Sequence, residues 1–286
     1  MLRSIAIRVA FFLQKYKARK VLRVMTDSRA SMKIAGAICA TLDNKTTQDE
    51  KVWMKRIEDL RKSLKRSCEQ LTVTDYGAGA STDSRSEKEM LDGIVISKQV
   101  KDFCNGSKPP FWATILFRLI REFGSVSAVE LGSCLGISAA YQAAAQKING
   151  AGKITTLEGA ESLSALTQKN LQQLGLDNAT VVKGRFQDHL ESVLQENKPV
   201  DYAFIDGHHE EKATIAYFTQ ILPYLAEESV IVFDDISWSA GMRRAWEKIV
   251  KNDHVKIAVD LLSIGICVID RRIKEKHIYQ FPKFSK

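Results

Sequence analysis

The stretch 126-VSAVELGSCLGIS-138 contains an apolar run that ends in an acid, then a turn with two glycines and the first residues of a helix. Similar apolar runs follow at regular intervals, and they alternate with segments whose apolar residues recur with helical periodicity. Strands that alternate with helices predict right-handed βαβ units. The sequence therefore predicts a parallel sheet with helices on both of its faces.

The pattern can be followed from this stretch almost to the C-terminus. It predicts parallel strands at residues 126–131, 153–158, 179–184, 201–206 and 229–234. Helices are predicted at residues 111–123, 137–148, 161–174, 187–195, 211–226 and 241–250. Two further β-like runs, 254-HVKIAVD-260 and 264-IGICVID-270, are so close in sequence that the last strand is expected to turn back antiparallel. The expected fold is a doubly wound, Rossmann-like α/β sheet.

Residues 1–95 precede this pattern and are predicted to form an N-terminal extension, which leaves residues 96–286 as the main domain. Thr47 and Glu50 form a capping box that starts an amphipathic helix over residues 47–71. The segment before that helix, residues 27–45, has little pattern. The segment after it, residues 75–89, is rich in glycine, serine and charge and is typical of a loop or linker.

The net charge of +8 is concentrated near the N-terminus, where residues 1–30 carry eight bases and one acid. The rest of the chain is nearly neutral. A protein that binds nucleic acid through its catalytic body would be expected to show a basic body, so nucleic acid is disfavoured as a partner.

Residues 2–20 place apolar side chains on one helical face, with basic side chains beside it. We expect this segment, within residues 1–25, to dock on its own domain or to support self-association as a homodimer. Peripheral contact with an anionic membrane surface is the alternative. A secretory signal peptide does not fit, because Arg8 interrupts the apolar core, whereas an organelle presequence stays open.

The cysteines and the hydropathy indicate in which cellular compartment the protein is expected. Five cysteines occur without a CxxC pair, which indicates free thiols in a reducing environment. No apolar stretch reaches the roughly 18 residues that a membrane-spanning helix needs. We therefore expect a cytoplasmic protein, with peripheral membrane attachment as the variant.

Four predicted strands end in acids, namely Glu130, Glu158, Asp206 and the pair Asp234–Asp235. In a doubly wound sheet the carboxyl ends of the strands meet at one rim, and ligands bind there near the point where the strand order reverses. Like charges at one rim cost free energy unless something compensates them. A cationic ligand or a metal is therefore expected.

The turn after the first strand holds Gly132 and Gly136, and the helix that follows directs free N–H groups at a ligand. The spacing G-x-x-x-G differs from the G-x-G-x-x-G of dinucleotide-binding proteins, so a pyrophosphate is not expected. Glu158, at the end of the next strand, would accept hydrogen bonds from ribose hydroxyls. Together these residues predict a site for a nucleoside without a phosphate.

Residues 108–270 resemble the class I S-adenosylmethionine-dependent methyltransferases. They are similar to the O-methyltransferases of the catechol and caffeoyl-CoA type and to bacterial relatives with an aspartate pair after the fifth strand. The resemblance rests on 121-REFGSVSAVELGSCLGIS-138, 154-ITTLEG-159, 184-GRFQD-188, 204-FIDGHH-209 and 232-VFDDI-236. It implies methyl transfer from S-adenosylmethionine to a hydroxyl oxygen of a small molecule, assisted by a divalent cation. The stretch 74-TDYGAGAS-81 resembles a segment that precedes the domain in some bacterial relatives, which suggests that it lies near the active site.

The resemblance also implies which residues contact the cofactor. They are Glu130, Gly132, Ser133, Gly136, Ser138, Glu158, Gly159, Phe186, Gln187 and Asp206. Glu130 and Gly132 would line the methionine part. Glu158 would hold the ribose hydroxyls. Gln187 and Phe186 would lie at the adenine.

The divalent-metal ligands implied by the resemblance are Asp206, Asp234 and Asp235. Three carboxylates with waters suit Mg²⁺, which would lower the pKa of the acceptor hydroxyl and hold it in line with the sulfonium methyl. Asp235 stands where the catechol type has an amide, so this site is more negative. The three acids could instead cap the rim and contact only the cofactor.

His209 stands where the catechol-type enzymes carry a lysine that takes the acceptor proton. A histidine can act as a general base near neutral pH without a large shift of its pKa. The neighbouring His208 is expected in the wall of the site or at the surface. Two close histidines also suit zinc, but a single aspartate as third ligand makes Mg²⁺ the better match. Trp238 is a candidate wall for a planar acceptor.

Three other functions are alternatives to methyl transfer onto a small molecule. Methylation of RNA or protein is the alternative among enzymes, although the Asn/Asp-Pro-Pro-aromatic motif of base methylation does not occur in the sequence. A non-catalytic S-adenosylmethionine-binding module is the alternative outside enzymes, and the full set of acids with an available base argues against it. The glycine spacing disfavours an NAD-dependent dehydrogenase.

Overall fold

A computed structural model describes residues 14–79 and 85–282 of the chain. Its strands are β1 Gln70–Asp75, β2 Ile94–Gln99, β3 Ser127–Leu131, β4 Lys153–Glu158, β5 Ala179–Lys183, β6 Val200–Ile205, β7 Leu225–Asp234, β8 Val255–Asp260, β9 Ile264–Asp270 and β10 His277–Gln280. Its helices are α1 (residues 14–24), α2 Arg29–Leu42, α3 Gln48–Leu64, α4 Glu87–Asp92, α5 Val100–Gly106, α6 Pro110–Phe123, α7 Ile137–Asn149, α8 Glu161–Leu174, α9 Phe186–Asn197, α10 Glu211–Ile221 and α11 Ala240–Lys251.

The main sheet has eight strands in the order β10-β8-β9-β7-β6-β3-β4-β5. Strand β9 runs antiparallel to both of its neighbours, and the other neighbouring pairs are parallel. The predicted Rossmann-like sheet with an antiparallel last hairpin is thereby confirmed, while β10 at the edge was not predicted. The chain runs from β3 outward through β4 and β5 and then crosses to β6 on the other side of β3. The strand order therefore reverses between β3 and β6, where a ligand cleft is expected.

The core has two layers, because successive side chains of a strand point to opposite faces of the sheet. In β6, Tyr202 and Phe204 pack in the layer under the N-terminal helices, whereas Ala203 and Ile205 pack in the layer under α9 to α11. All four side chains are at most 3% exposed. The strand is apolar from Tyr202 to Ile205 because both of its faces are covered there.

The N-terminal extension is part of the same packed body. Helix α2 forms in the segment that showed little pattern, and its Ile34 and Ile38 are fully buried. In α1 and just after it, Ala18 and Met25 are buried in the same core cluster. Arg19 adds an exposed ion pair of 2.6 Å to Asp43. Residues 14–25 therefore dock on their own domain, while residues 2–13 of the predicted amphipathic segment lie outside the described part.

Two predictions for the extension need correction. The predicted helix over residues 47–71 ends at Leu64, because the chain turns to form strand β1 from Gln70. The predicted loop over residues 75–89 contains the short helix α4 near its end. Strand β1 pairs antiparallel with β2 across the predicted boundary at residue 95, and that domain division stays a prediction. None of the helices in the described residues is both long and apolar enough to cross a membrane.

Candidate functional site

A cavity of about 390 Å³ opens at the carboxyl ends of β3, β4 and β6, next to the reversal of strand order. Most of the predicted site residues line it, namely Gly132, Ser133, Ser138, Glu158, Gly159, Phe186, Asp206 and His209. Three predicted cofactor residues, Glu130, Gly136 and Gln187, do not line it. The aspartate pair after β7 lies just behind Asp206, outside the lining.

Gly132 stands where the backbones of two strand ends meet. Its φ is +97°, and an added Cβ would lie 2.1 Å from the carbonyl oxygen of Asp206. Only glycine fits such a contact with an immovable backbone atom. Gly136, with φ of +76°, shapes the turn in a different way, because its Cβ would meet the Thr167 side chain at 2.8 Å. Gly136 therefore supports the turn from behind and does not contact a ligand.

Glu158 is held at the end of β4 by the turn after β3. Its Oε2 accepts a hydrogen bond of 2.8 Å from the backbone N–H of Cys134, and its Oε1 accepts one of 3.0 Å from Ala160. Burial raises the pKa of Glu158 to about 7, although the backbone hydrogen bonds oppose the shift; Asp75 adds to it. The carboxylate is thereby fixed in position, with remaining lone pairs free to accept ribose hydroxyls.

Glu130 lies elsewhere than predicted. Its side chain is fully buried, and its two oxygens accept hydrogen bonds of 2.7 Å from Gln142 Nε2 and 2.6 Å from Thr156 Oγ1. Burial raises its pKa to about 7. Glu130 therefore ties β3 to α7 and β4, and it does not line the cavity in which the methionine part of the cofactor was expected. Gln187 is exposed on α9, and it is the neighbouring Phe186 that faces the cavity.

The opposite side of the cavity is formed by the turn after β6. Asp206 directly follows this strand, and His209 Nε2 lies 3.7 Å from its Oδ1, which is too far for a hydrogen bond but within ion-pair range when the imidazole is protonated. The His209 ring packs against the Trp238 ring with centroids 5.7 Å apart. His208, His209 and Asp235 all have φ between +50° and +63°. Such backbone angles cost free energy in non-glycine residues and cluster at functional sites.

His208 belongs to the cavity wall, as predicted. Its Nδ1 lies 2.8 Å from the hydroxyl of Tyr217, and its ring packs against Phe186 with centroids 5.7 Å apart. Burial lowers the pKa of His208, with a further contribution from His209. Its backbone carbonyl accepts a hydrogen bond of 2.9 Å from Ala78 N–H, so this residue fixes two segments together.

The residues after β1 form a wall that sequence reasoning placed only near the site. Residues 74–79 line the cavity, and the Tyr76 ring lies against Gly159, whose added Cβ would be 3.2 Å from it. Asp75 holds this wall by accepting hydrogen bonds of 2.9 Å from Gly77 N–H and from Arg85. The resemblance of residues 74–81 to a segment near the active site is thus confirmed for its described part.

The three acids predicted to hold a metal are compensated by a lysine. Lys108 Nζ forms an ion pair with Asp234 Oδ2, and both side chains are buried, being 8% and 2% exposed. Burial by itself would lower the pKa of Lys108, but Asp234, Asp206 and Asp235 outweigh it and raise the pKa. Burial also raises the pKa of Asp206 well above its usual range; Asp234 adds to the shift and Lys108 opposes it. Sequence reasoning missed Lys108, since nothing in its neighbourhood marks it as part of this site.

This arrangement does not fit a divalent metal. One oxygen of Asp234 is committed to an ammonium group, which would repel a cation placed beside it. Across residues 14–79 and 85–282, no three side chains of His, Cys, Asp or Glu gather as a metal-binding group. The predicted magnesium site at Asp206, Asp234 and Asp235 is therefore not formed.

A methyltransferase domain model matches residues 129–236. No curated protein sequence matches the chain. Among solved structures, an O-methyltransferase from Bacillus cereus in complex with S-adenosylhomocysteine has a TM-score of 0.50 and 22% identity, covering 58% of this chain and 83% of that one. A structure from Staphylococcus aureus that bears the name caffeoyl-CoA O-methyltransferase has a TM-score of 0.52 and 15% identity, covering 59% of this chain and 90% of that one. A methyltransferase from Podospora anserina bound to S-adenosylhomocysteine has a TM-score of 0.51 and 14% identity, with coverages of 57% and 80%.

Because these sequence identities are low, the similarity to solved structures establishes the fold alone. The domain match covers β3 to the end of β7 and the start of the following turn, which includes the glycine turn, Glu158 and Asp206. The cavity lies at that same rim. Residues 129–236 therefore match a methyltransferase domain, and the fold of the chain is similar to that of the solved methyltransferases.

Proposed function

We propose that the protein transfers the methyl group of S-adenosylmethionine to a hydroxyl oxygen of a small molecule. The observation that carries the proposal is that one cavity joins Glu158, suited to the cofactor ribose, to Asp206 and His209, suited to an acceptor proton. The structures from Bacillus cereus and Staphylococcus aureus carry O-methyltransferase names, which supports the same reaction class here.

The cofactor would lie along the turn after β3. Gly132 and Ser133 would pass close to its methionine part, since glycine leaves the backbone open there. Glu158 would accept the ribose hydroxyls, and Phe186 would face the adenine. This placement directs the sulfonium methyl toward Asp206 and His209 on the other side of the cavity.

In the proposed step, the His209 imidazole takes the proton of the acceptor hydroxyl. The oxygen then attacks the methyl carbon, the O–C bond forms, and the S–C bond breaks with its electron pair left on sulfur. The products are the methyl ether and S-adenosylhomocysteine. Asp206, 3.7 Å from His209 Nε2, stabilises the imidazolium that forms. Trp238 beside His209 offers a flat apolar face to an aromatic acceptor.

Assistance by Mg²⁺, which the resemblance implies, is not included in this step, because the acids do not form a metal site. A small-molecule acceptor, a cytoplasmic location, and self-association or membrane contact through residues 1–25 stay predictions. The cavity at the sheet rim and the near-neutral body are consistent with them.

The experiment is a methyl-transfer assay with isotopically labelled S-adenosylmethionine. Hydroxylated aromatic compounds, cellular RNA and cellular protein are offered separately, and label is counted in each fraction. We expect label only in the small-molecule fraction. Label in RNA or protein would support the alternative methyltransferase class. S-adenosylhomocysteine binding without label in any fraction would support a non-catalytic module.

A further inference from the structure

Lys108 belongs to a loop outside the main sheet, and its side chain extends to the carboxyl ends of the strands. It lies between α5 and α6, directly before Pro109 and Pro110. Its side chain lines the cavity at one end and contacts Asp234 behind Asp206 at the other. An ammonium group at this point is a fixed positive charge between the cofactor cavity and the ends of β6 and β7.

The backbone of Lys108 is anchored firmly. Its carbonyl accepts a hydrogen bond of 2.9 Å from Nη2 of Arg61, whose side chain is only 4% exposed. Arg61 is itself held by Glu58 through Nε at 2.9 Å. Proline at the next position restricts the backbone further. The ammonium is therefore placed by the fold and cannot swing freely into solvent.

The charge balance explains why a cation is needed here. Asp206 and Asp234 follow neighbouring parallel strands, and Asp235 comes next in the chain. The charges of all three act on the Lys108 ammonium, and buried like charges are costly unless a positive charge lies near them. Within residues 14–79 and 85–282, one oxygen of Asp234, Oδ1, has no hydrogen-bond partner. Lys108 supplies the compensation through Oδ2, and Oδ1 is left as an acceptor for a further donor.

We propose that the Lys108 ammonium takes the place of the divalent cation, so that this methyltransferase works without a bound metal. Lys108 neutralises the acids through its buried ion pair with Asp234. This role does not depend on the proposed O-methyl transfer, since it concerns only the acids and the ion they accept.

The first test uses the wild-type protein saturated with S-adenosylhomocysteine and titrated with Mn²⁺, a paramagnetic substitute for Mg²⁺. Bound Mn²⁺ loses the sharp electron paramagnetic resonance signal of the free ion. We expect the free-ion signal to be unaffected by the wild-type protein. Stoichiometric loss of that signal, abolished by Asp234→Ala, would overturn the proposal.

The second test removes the ammonium. Lys108→Ala should bind Mn²⁺ at least about tenfold more tightly than wild type, because a positive charge at ion-pair distance from the acids is gone. Adding Asp234→Ala to this variant should remove the gain. Lys98→Ala is the matched control, since Lys98 also lines the cavity but is exposed; its Mn²⁺ binding should equal that of wild type.

Folding of each variant is checked by S-adenosylhomocysteine binding, and Mn²⁺ should raise the melting temperature of Lys108→Ala alone. A folded Lys108→Ala that gains no Mn²⁺ affinity would overturn the replacement. If the variant does not fold, Lys108→Met replaces it, and the wild-type titration decides independently. Because Mn²⁺ binding needs no acceptor, failure here is distinct from failure of the proposed methyl transfer, which the labelling assay reports.

Discussion

The two sides of the cavity compensate the negative charge of their buried carboxylates in different ways. On the β4 side, the Glu158 carboxylate is held by backbone N–H groups of the turns next to it. On the β6–β7 side, Asp206, Asp234 and Asp235 share an ammonium that comes from a loop before α6. The β4 side, the proposed cofactor side, is thus built from neighbouring strand ends. The β6–β7 side, the proposed acceptor side, depends on a side chain from a distant part of the chain.

This difference shows for which part of the site the sequence pattern of a family also predicts the geometry. Hydrogen bonds between a strand end and its own turn follow from local sequence, so the pattern on the cofactor side carries its geometry with it. For Asp206, Asp234 and Asp235, the resemblance implies a metal as the compensating charge, whereas the structure pairs Asp234 with Lys108. Acids that match a family pattern therefore do not establish which cation compensates them.

The largest expected effect is on the acceptor side. His209→Ala should lower turnover by about 10²–10⁴, the usual effect of losing a general base. The deficit should shrink at higher pH as the acceptor hydroxyl ionises unaided. Steady-state kinetics across pH, with S-adenosylhomocysteine binding as a control for the cofactor side, is the measurement. His254→Ala, an exposed histidine at the start of β8, should match wild type. Equal rates in His209→Ala and wild type would assign the proton to another group.

Gly132 follows β3 and lies against the backbone of Asp206 on the other side of the cavity, so its substitution should disturb the packing of both sides. Gly132→Ala places a Cβ 2.1 Å from the Asp206 carbonyl oxygen at a φ of +97°, which should lower the free energy of unfolding by about 2–4 kcal/mol. Chemical denaturation measures this change. Gly150→Ala is the matched control, since its φ is +80° but nothing lies within 4 Å of the added Cβ. It should cost only about 1 kcal/mol, and an equal cost in both variants would contradict the backbone contact as the cause.

On the cofactor side, Glu158→Ala should weaken S-adenosylmethionine binding by about 1–3 kcal/mol, the cost of losing charge-assisted hydrogen bonds to the ribose. Glu161→Ala is the control, because Glu161 begins α8 with an exposed side chain paired to Lys183 at 2.8 Å. Calorimetry measures both affinities. Unchanged binding in Glu158→Ala would show that the ribose lies elsewhere.

The same residue predicts a pH dependence. Burial raises the pKa of Glu158 to about 7, so the free protein holds a proton there below that pH. Its folded pKa lies above the unfolded value, so this group favours the folded state at low pH, and that contribution is lost as pH rises through about 7. Cofactor affinity should follow the ionised form and fall about tenfold from about pH 8 to about pH 6. Calorimetry on Glu158→Gln should show a flat profile; a slope that survives in this variant would point to another group.

The smallest effect is expected far from both sides. Arg19→Ala removes an ion pair of 2.6 Å between α1 and Asp43, with the Arg19 side chain 48% exposed. Exposed pairs contribute about 0–1 kcal/mol to the free energy of unfolding, so thermal unfolding should change little. Cofactor affinity and turnover should equal those of wild type. A large change in either would show that the extension influences the cavity.

The sequence by itself determined the sheet and the cofactor side. The apolar runs at residues 202–205, 230–233 and 264–269 are continuous because both sheet faces are buried there, and the glycine turn and Glu158 belong to neighbouring strand ends. Hydrophobic periodicity and turn chemistry are local properties, so they can be read in order along the chain. The antiparallel β9 and most strand bounds followed from them, but β7 begins at Leu225, inside the predicted helix over residues 211–226, which ends at Ile221.

Only the tertiary structure decided what the acids do. Glu130 and Asp206 both end apolar strands, yet Glu130 is enclosed by Gln142 and Thr156, whereas Asp206 faces the cavity. Helix α2 showed little pattern because its buried face includes the small or polar residues Ala30, Ser31, Ala37 and Thr41, and Lys108 lacked any local sign of its role. Which charge compensates a buried carboxylate depends on distance in space, and that distance is set by how remote segments pack together.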